Sequence, residues 1–151
     1  MNAILSENGF LRNVPQQKMT ESYQIEIVEI IKGALIEGIQ SYGITNDNRW
    51  AIFWTNQVNN KTSLLFSEMN LSYPLGILFR KHQDYGPGPI HYTGFLGLAV
   101  RMLDKVGRYE NLINSEQNVN FEPIDDTILD LFNYGLLGCF YGLEFLDGEH
   151  N

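Results

Sequence analysis

Residues 94–113 read GFLGLAVRMLDKVGRYENLI, and their spacing decides the fold class. At about 100° per residue, Phe95, Leu98, Ala99, Met102, Val106, Tyr109 and Ile113 fall on one face of a helix. Arg101, Asp104, Lys105, Arg108 and Asn111 fall on the opposite face. A strand alternates every second residue and cannot generate this pattern. Upstream, Thr20 to Ile39 repeats the signature, with Ile27, Val28, Ile31, Leu35 and Ile39 as its buried stripe. Thr20 or Ser22 offers a cap there, and Gly43 lies just beyond its end. Downstream, Pro123 suits the first turn of a third helix that runs through Asp130 to about Leu146. Gly135, Gly138 and Gly142 lower the helix propensity of that segment. Their spacing lines small residues along related faces, which lets another helix, in this chain or in a neighbouring subunit, approach closely.

The stretches between these helices read less regularly. Arg49–Thr55 and Thr62–Ser67 are rich in β-branched and aromatic residues with Asn59-Asn60 between them, so a small β-hairpin is expected within 46–70. Leu75–Gln83 fits a short helix, and residues 84–89, with two glycines and two prolines, a loop. Residues 1–19 read as an irregular N-terminal arm, and 114–121 as a polar connection. The expectation is one mainly α domain over 1–151. The end of the third helix, LLGCFYGLEFL, is apolar almost all round, which predicts a homodimer or homotetramer.

Composition removes several functional classes. Eighteen acidic against ten basic residues give a net charge of −8, unsuited to a nucleic-acid polymer or an anionic membrane surface. No apolar run reaches the length of a membrane span, and no signal peptide is evident, so a cytoplasmic protein is expected. The one cysteine, Cys139, rules out an intrachain disulfide and a cysteine zinc cluster. It sits in an apolar run and reads as an inert thiol. His82, His91 and His150 have no metal-ligand spacing and no evident serine or cysteine partner.

Two constellations carry chemistry. Asp126 and Asp130, four apart, stack on one helical face with Asn133 beside them and Glu122 one turn before. Like charges at this spacing repel, and a divalent cation that takes hard oxygen ligands removes the repulsion. The alternative is that Asp125 and Asp126 complement the helix N-terminus while Asp130 faces solvent. Arg101, Asp104, Lys105 and Arg108 form the second stripe, with the forked donors that phosphates need. Taken alone, the stripe is better read as a solvated face with an Asp104–Arg108 pair. Glu26 and Glu29 read as an exposed helical face.

Three segments in order bear a likeness: Lys81-x-x-Asp84-Tyr85-Gly86; Gly94-Phe-Leu-Gly97 through Arg101, Asp104, Lys105, Arg108 and Asn111; and Glu122 through Asp126, Thr127, Asp130, Asn133 and Tyr134. Over about residues 75–146 the chain resembles the nucleotide-modification-associated domain 1 family. That family is similar to the MazG-like all-α nucleoside triphosphate pyrophosphohydrolases and is found in phages and bacteria. The resemblance implies a helical bundle in which acidic side chains hold Mg²⁺, or Mn²⁺, against a nucleotide phosphate chain. It places Asp126 and Asp130 as metal ligands supported by Glu122 and Asn133, with Asp104 as a further catalytic acidic group. Lys81, Arg101, Lys105 and Arg108 would face phosphates, and Asp84, Tyr85 and Asn133 would complete the substrate side. The MazG-type Glu-x-x-Glu followed closely by Glu-x-x-Asp is absent, since Glu26 and Glu29 lie far upstream of Asp126. The implied function is hydrolysis of a (deoxy)nucleoside triphosphate to monophosphate and pyrophosphate. Two other functions compatible with the sequence are nucleotide binding without cleavage and an acidic protein-interaction role.

Overall fold

The computed structural model describes residues 21–66, 76, 80, 88–114 and 124–146. No strand occurs among them. Helix α1 spans Glu21–Tyr42 and buries Ile27, Val28, Ile31 and Leu35 of the expected stripe, together with Ala34, while Ile39 is partly buried. Gly43 ends it in the left-handed region at φ 54°, where its N–H reaches the Ile39 carbonyl at 2.9 Å. Asp47 then starts α2, Asn48–Phe53, by accepting the Arg49 backbone N–H at 3.0 Å. The chain continues as a π-helical turn at Trp54–Asn59, a short α3 at Asn60–Thr62 and a 3₁₀ turn at Ser63–Phe66.

This helical run corrects the hairpin expected within 46–70; residues 67–70 lie outside the described residues. Trp50, Trp54, Val58, Thr62 and Leu65 form one buried line, almost all four apart, with Ala51 and Phe53 buried beside it. Aromatic and β-branched composition favours a strand, but spacing by four on one buried face selects a helix. Four α-helical residues overshoot a full turn by about 40°. The wider π turn over 54–59 offsets that drift and keeps all five side chains inward.

Helix α4 spans Gly88–Asn114, with Gly94 non-helical at φ 64° and ψ −153°. The predicted helix 94–113 is therefore its second part, with Phe95, Leu98, Ala99, Met102, Val106 and Tyr109 buried as expected. Gly88 and Pro89, assigned to a loop by their composition, instead open the first part. Proline fits there because a first-turn N–H has no helical partner to lose. At the break, Asn46 Oδ1 accepts the Phe95 N–H at 3.2 Å and its Nδ2 donates to Tyr141 Oη. A Cβ at position 94 would collide with the Asn46 side chain, so glycine is required there twice over.

Helix α5, Ile124–Leu146, carries the three glycines of the close-approach stripe. The partner is within the chain, not a neighbouring subunit: Gly135 receives Thr62, Gly138 the Trp54 indole and Gly142 Ala51. The Trp54 Nε1–H donates to the Gly135 carbonyl at 2.9 Å. Trp50 stacks on Phe95 at 5.6 Å, and Phe95 meets Tyr141 edge-on at 4.9 Å, so α2, α4 and α5 share one aromatic hub. Each such ring contributes roughly 1.5–3 kcal/mol by burial. Phe140, Leu143 and Leu146 remain exposed on α5. No helix among the described residues is long and apolar enough to cross a membrane.

Candidate functional site

Packing of α4 on α5 brings the two charged stripes together at one point. Lys105 Nζ lies 2.7 Å from Asp130 Oδ2, with the side chains 25% and 15% exposed. The pair is partly withdrawn from water, so salt screens it less than a surface pair. Arg101 and Arg108 share the Lys105 face at helical spacing, one half-buried and one exposed. Arg101 also approaches Thr93 Oγ1 at 3.5 Å, across the Gly94 break. Asp104 faces solvent, about 100° round the helix from Lys105.

On α5, Asp126, Asp130 and Asn133 fall within an arc of about 60°. Asp126 is exposed, whereas Asn133 is 6% exposed. Among the described residues, neither the Oδ1 nor the Nδ2 of Asn133 has a hydrogen-bond partner, and the buried Thr127 Oγ1 has none either. Buried polar groups are nearly always paired, because an unpaired one costs about 1–3 kcal/mol. The Asn133 amide lies one turn from the partly buried Asp130 carboxylate.

The oxygen donors here fit a hard cation. Mg²⁺ is commonly held by one or two carboxylates, with water and phosphate filling the remaining positions. Asp126, Asp130 and the Asn133 carbonyl oxygen are donors of that class on one arc of α5. Among the described residues, no group of three or more His, Cys, Asp or Glu side chains is placed to hold a metal ion. Four residues of the expected site, Lys81, Asp84, Tyr85 and Glu122, lie outside the described residues.

Further groups surround the aromatic hub. His91 Nε2 sits 3.2 Å from both Glu144 carboxylate oxygens, and its ring meets Tyr141 edge-on at 5.3 Å. Burial pushes the Tyr141 hydroxyl above its ordinary range, against the lowering effect of the Asn46 hydrogen bond. Sequence reasoning gave Asn46, Tyr141 and this His91 contact no role. Their meeting depends on contacts spanning roughly half the chain, which no local pattern announces. Cys139 is half-buried, and burial raises its thiol pKa, as an inert thiol requires. Glu26 and Glu29 are exposed as expected; Lys32 joins Glu29 to Glu110, at 3.9 and 2.9 Å.

No family model, curated protein or solved structure matches the chain.

Proposed function

We propose that the α4–α5 seam binds the phosphate chain of a nucleotide, and that the protein is a Mg²⁺-dependent nucleoside triphosphate pyrophosphohydrolase of the MazG-like helical type. Its products would be a (deoxy)nucleoside monophosphate and pyrophosphate. The observation that carries this reading is a meeting of opposite chemistries. Lys105 of α4 lies against Asp130 of α5, one turn from an Asn133 side chain with no partner among the described residues.

In this reading Asp126 and Asp130 hold the cation, supported by the Asn133 carbonyl oxygen and Glu122. Bound Mg²⁺ or Mn²⁺ supplies an activated water and neutralises charge on the phosphates. Arg101 and Arg108 offer forked donors to phosphate oxygens, and Lys105 a compact ammonium. Asp104 is the further acidic group, and Lys81, Asp84 and Tyr85 complete the substrate side. The open amide of Asn133 supports a bound ligand whether or not cleavage follows, so nucleotide binding without hydrolysis is the second reading.

A pyrophosphate-release screen over ribo- and deoxynucleoside triphosphates with Mg²⁺ or Mn²⁺ tests the proposal. Metal-dependent release that Asp130→Asn abolishes is the expected result. Tight nucleotide binding without release would select the second reading, and neither binding nor release would overturn both.

A further inference from the structure

We propose that the opening stretch of α4, residues 88–93, is a pH-sensitive clasp. It pivots at Gly94 and is held on α5 by His91 against Glu144, a contact that tightens when the imidazole is protonated. The clasp forms whether or not a nucleotide binds the α4–α5 seam.

Gly94 separates the two parts of α4. Its φ of 64° and ψ of −153° lie in a region that essentially only glycine enters. In an unbroken helix the Phe95 N–H would bond to the carbonyl of residue 91. Here it goes to Asn46 Oδ1 at 3.2 Å, so the ladder of helical bonds is interrupted at the pivot. The attachments of the opening stretch among the described residues are modest. Ile90 is 9% exposed and joins the core, whereas Tyr92 is 85% exposed. Thr93 lies over Gly97, where a Cβ would collide with it, and Arg101 comes within 3.5 Å of the Thr93 hydroxyl. The polar contact from this stretch to α5 is made by His91, whose Nε2 is 3.2 Å from both Glu144 carboxylate oxygens.

Protonated, the imidazolium meets the carboxylate with a full opposite charge as well as an N–H. Neutral, it offers an uncharged N–H in one tautomer and a lone pair in the other. Histidine ordinarily titrates near about 6.5, whereas glutamate and tyrosine ordinarily titrate well to either side of that value. From α5 the ring also meets Tyr141, whose phenol burial pushes above its ordinary range, so it stays protonated near neutrality. From the turn after α1, the uncharged Asn46 reaches Tyr141, and its neighbour Asp47 is taken up by Arg49 at 2.9 Å. On α4 itself, Arg101 keeps its charge throughout and is engaged at Thr93. The clasp is therefore tightest in mild acid and loosens as His91 loses its proton with rising pH.

The test is amide hydrogen exchange read by mass spectrometry, one pH unit below and two above the ordinary histidine value, with rates corrected for the intrinsic effect of pH. In wild type, residues 90–97, which span the pivot, should lose about two- to fivefold of their protection from the acid to the alkaline condition. That is the scale of an ion pair whose side chains are 47% and 44% exposed. The buried stripe of α1 should show no such change. Glu144→Gln and His91→Gln each remove one charge of the pair, and should hold residues 90–97 at the low alkaline protection under both conditions. Wild-type protection that does not change with pH overturns the clasp, as does a pH dependence that survives undiminished in either variant. An equal change along α1 would make the effect global and overturns it too.

Discussion

Helix α5 has two polar-to-apolar seams of opposite character. Toward α2 and the π turn it is dry and complete: three glycines receive Thr62, Trp54 and Ala51, and the buried indole N–H of Trp54 has its acceptor. Toward the arc of Asp126, Asp130 and Asn133 it is charged and incomplete, with an open amide beside an ion pair. The same helix therefore has a dry, close-packed side and a charged side. Substitutions on the first side should lower stability steeply. Those on the second should trade stability against ligand binding.

The largest effect belongs to the dry seam. Trp54→Ala removes a fully buried indole and its hydrogen bond to Gly135, and should cost about 3–5 kcal/mol. Denaturant titration reads this directly, and a loss under 1 kcal/mol would mean that the seam is not the main source of stability.

Asp130→Asn comes next and tests the seam opposite. From sequence alone the change relieves repulsion with Asp126, so stability would stay equal or rise. The ion pair with Lys105 reverses that sign, because the variant removes the carboxylate charge 2.7 Å from a partly buried ammonium. A loss of about 1–2 kcal/mol is expected, between the values for exposed and buried pairs. A thermal melt without metal that matches or exceeds wild type would contradict it.

These two cases also mark what sequence could reveal. The stripes of α1 and the second part of α4 were legible because one residue in three or four is apolar on a single face, and α5 was legible from Pro123 at its start and the spacing of its glycines. The run 48–66 was not, since Trp50, Phe53, Trp54 and Val58 carry strand-like composition. Only a partner surface studded with glycines makes their spacing by four decisive. The break at Gly94 was hidden because its cause, Asn46, is remote in sequence. The repulsion between Asp126 and Asp130 was visible, but its answer was not. How α4 is rotated against α5, and hence that Lys105 meets Asp130, follows from packing rather than from spacing.

The smallest effect lies outside both seams and calibrates them. Hydrogen bonding to the Arg49 side chain, opposed by partial burial, holds the Asp47 carboxyl below the ordinary carboxylate range. Its capping of α2 therefore stabilises fully above that range and fades as pH falls through the lowered value. Asp47→Ala should cost about 0.5–1 kcal/mol near neutrality, as a lost cap does. The gap to wild type should close only in acid, below the unfolded aspartate value of about 3.9. A gap that persists unchanged at pH 2 would show that the carboxylate is not its source.

The central claim is that the seam around Asn133 is left incomplete for a ligand, and Asn133→Leu tests it most directly. Leucine is close in size and brings no polar group to leave unpaired. Thermal melts of wild type and variant, each with and without Mg²⁺ and a nucleoside triphosphate, give the answer in four curves. The ligand-free variant should melt several degrees higher, since relief of about 1–2 kcal/mol shifts a domain of this size by roughly 2–4 °C per kcal/mol. The ligand-induced rise of wild type should be absent or much reduced in the variant. A variant that melts lower than wild type and keeps the full ligand-induced rise would contradict the claim.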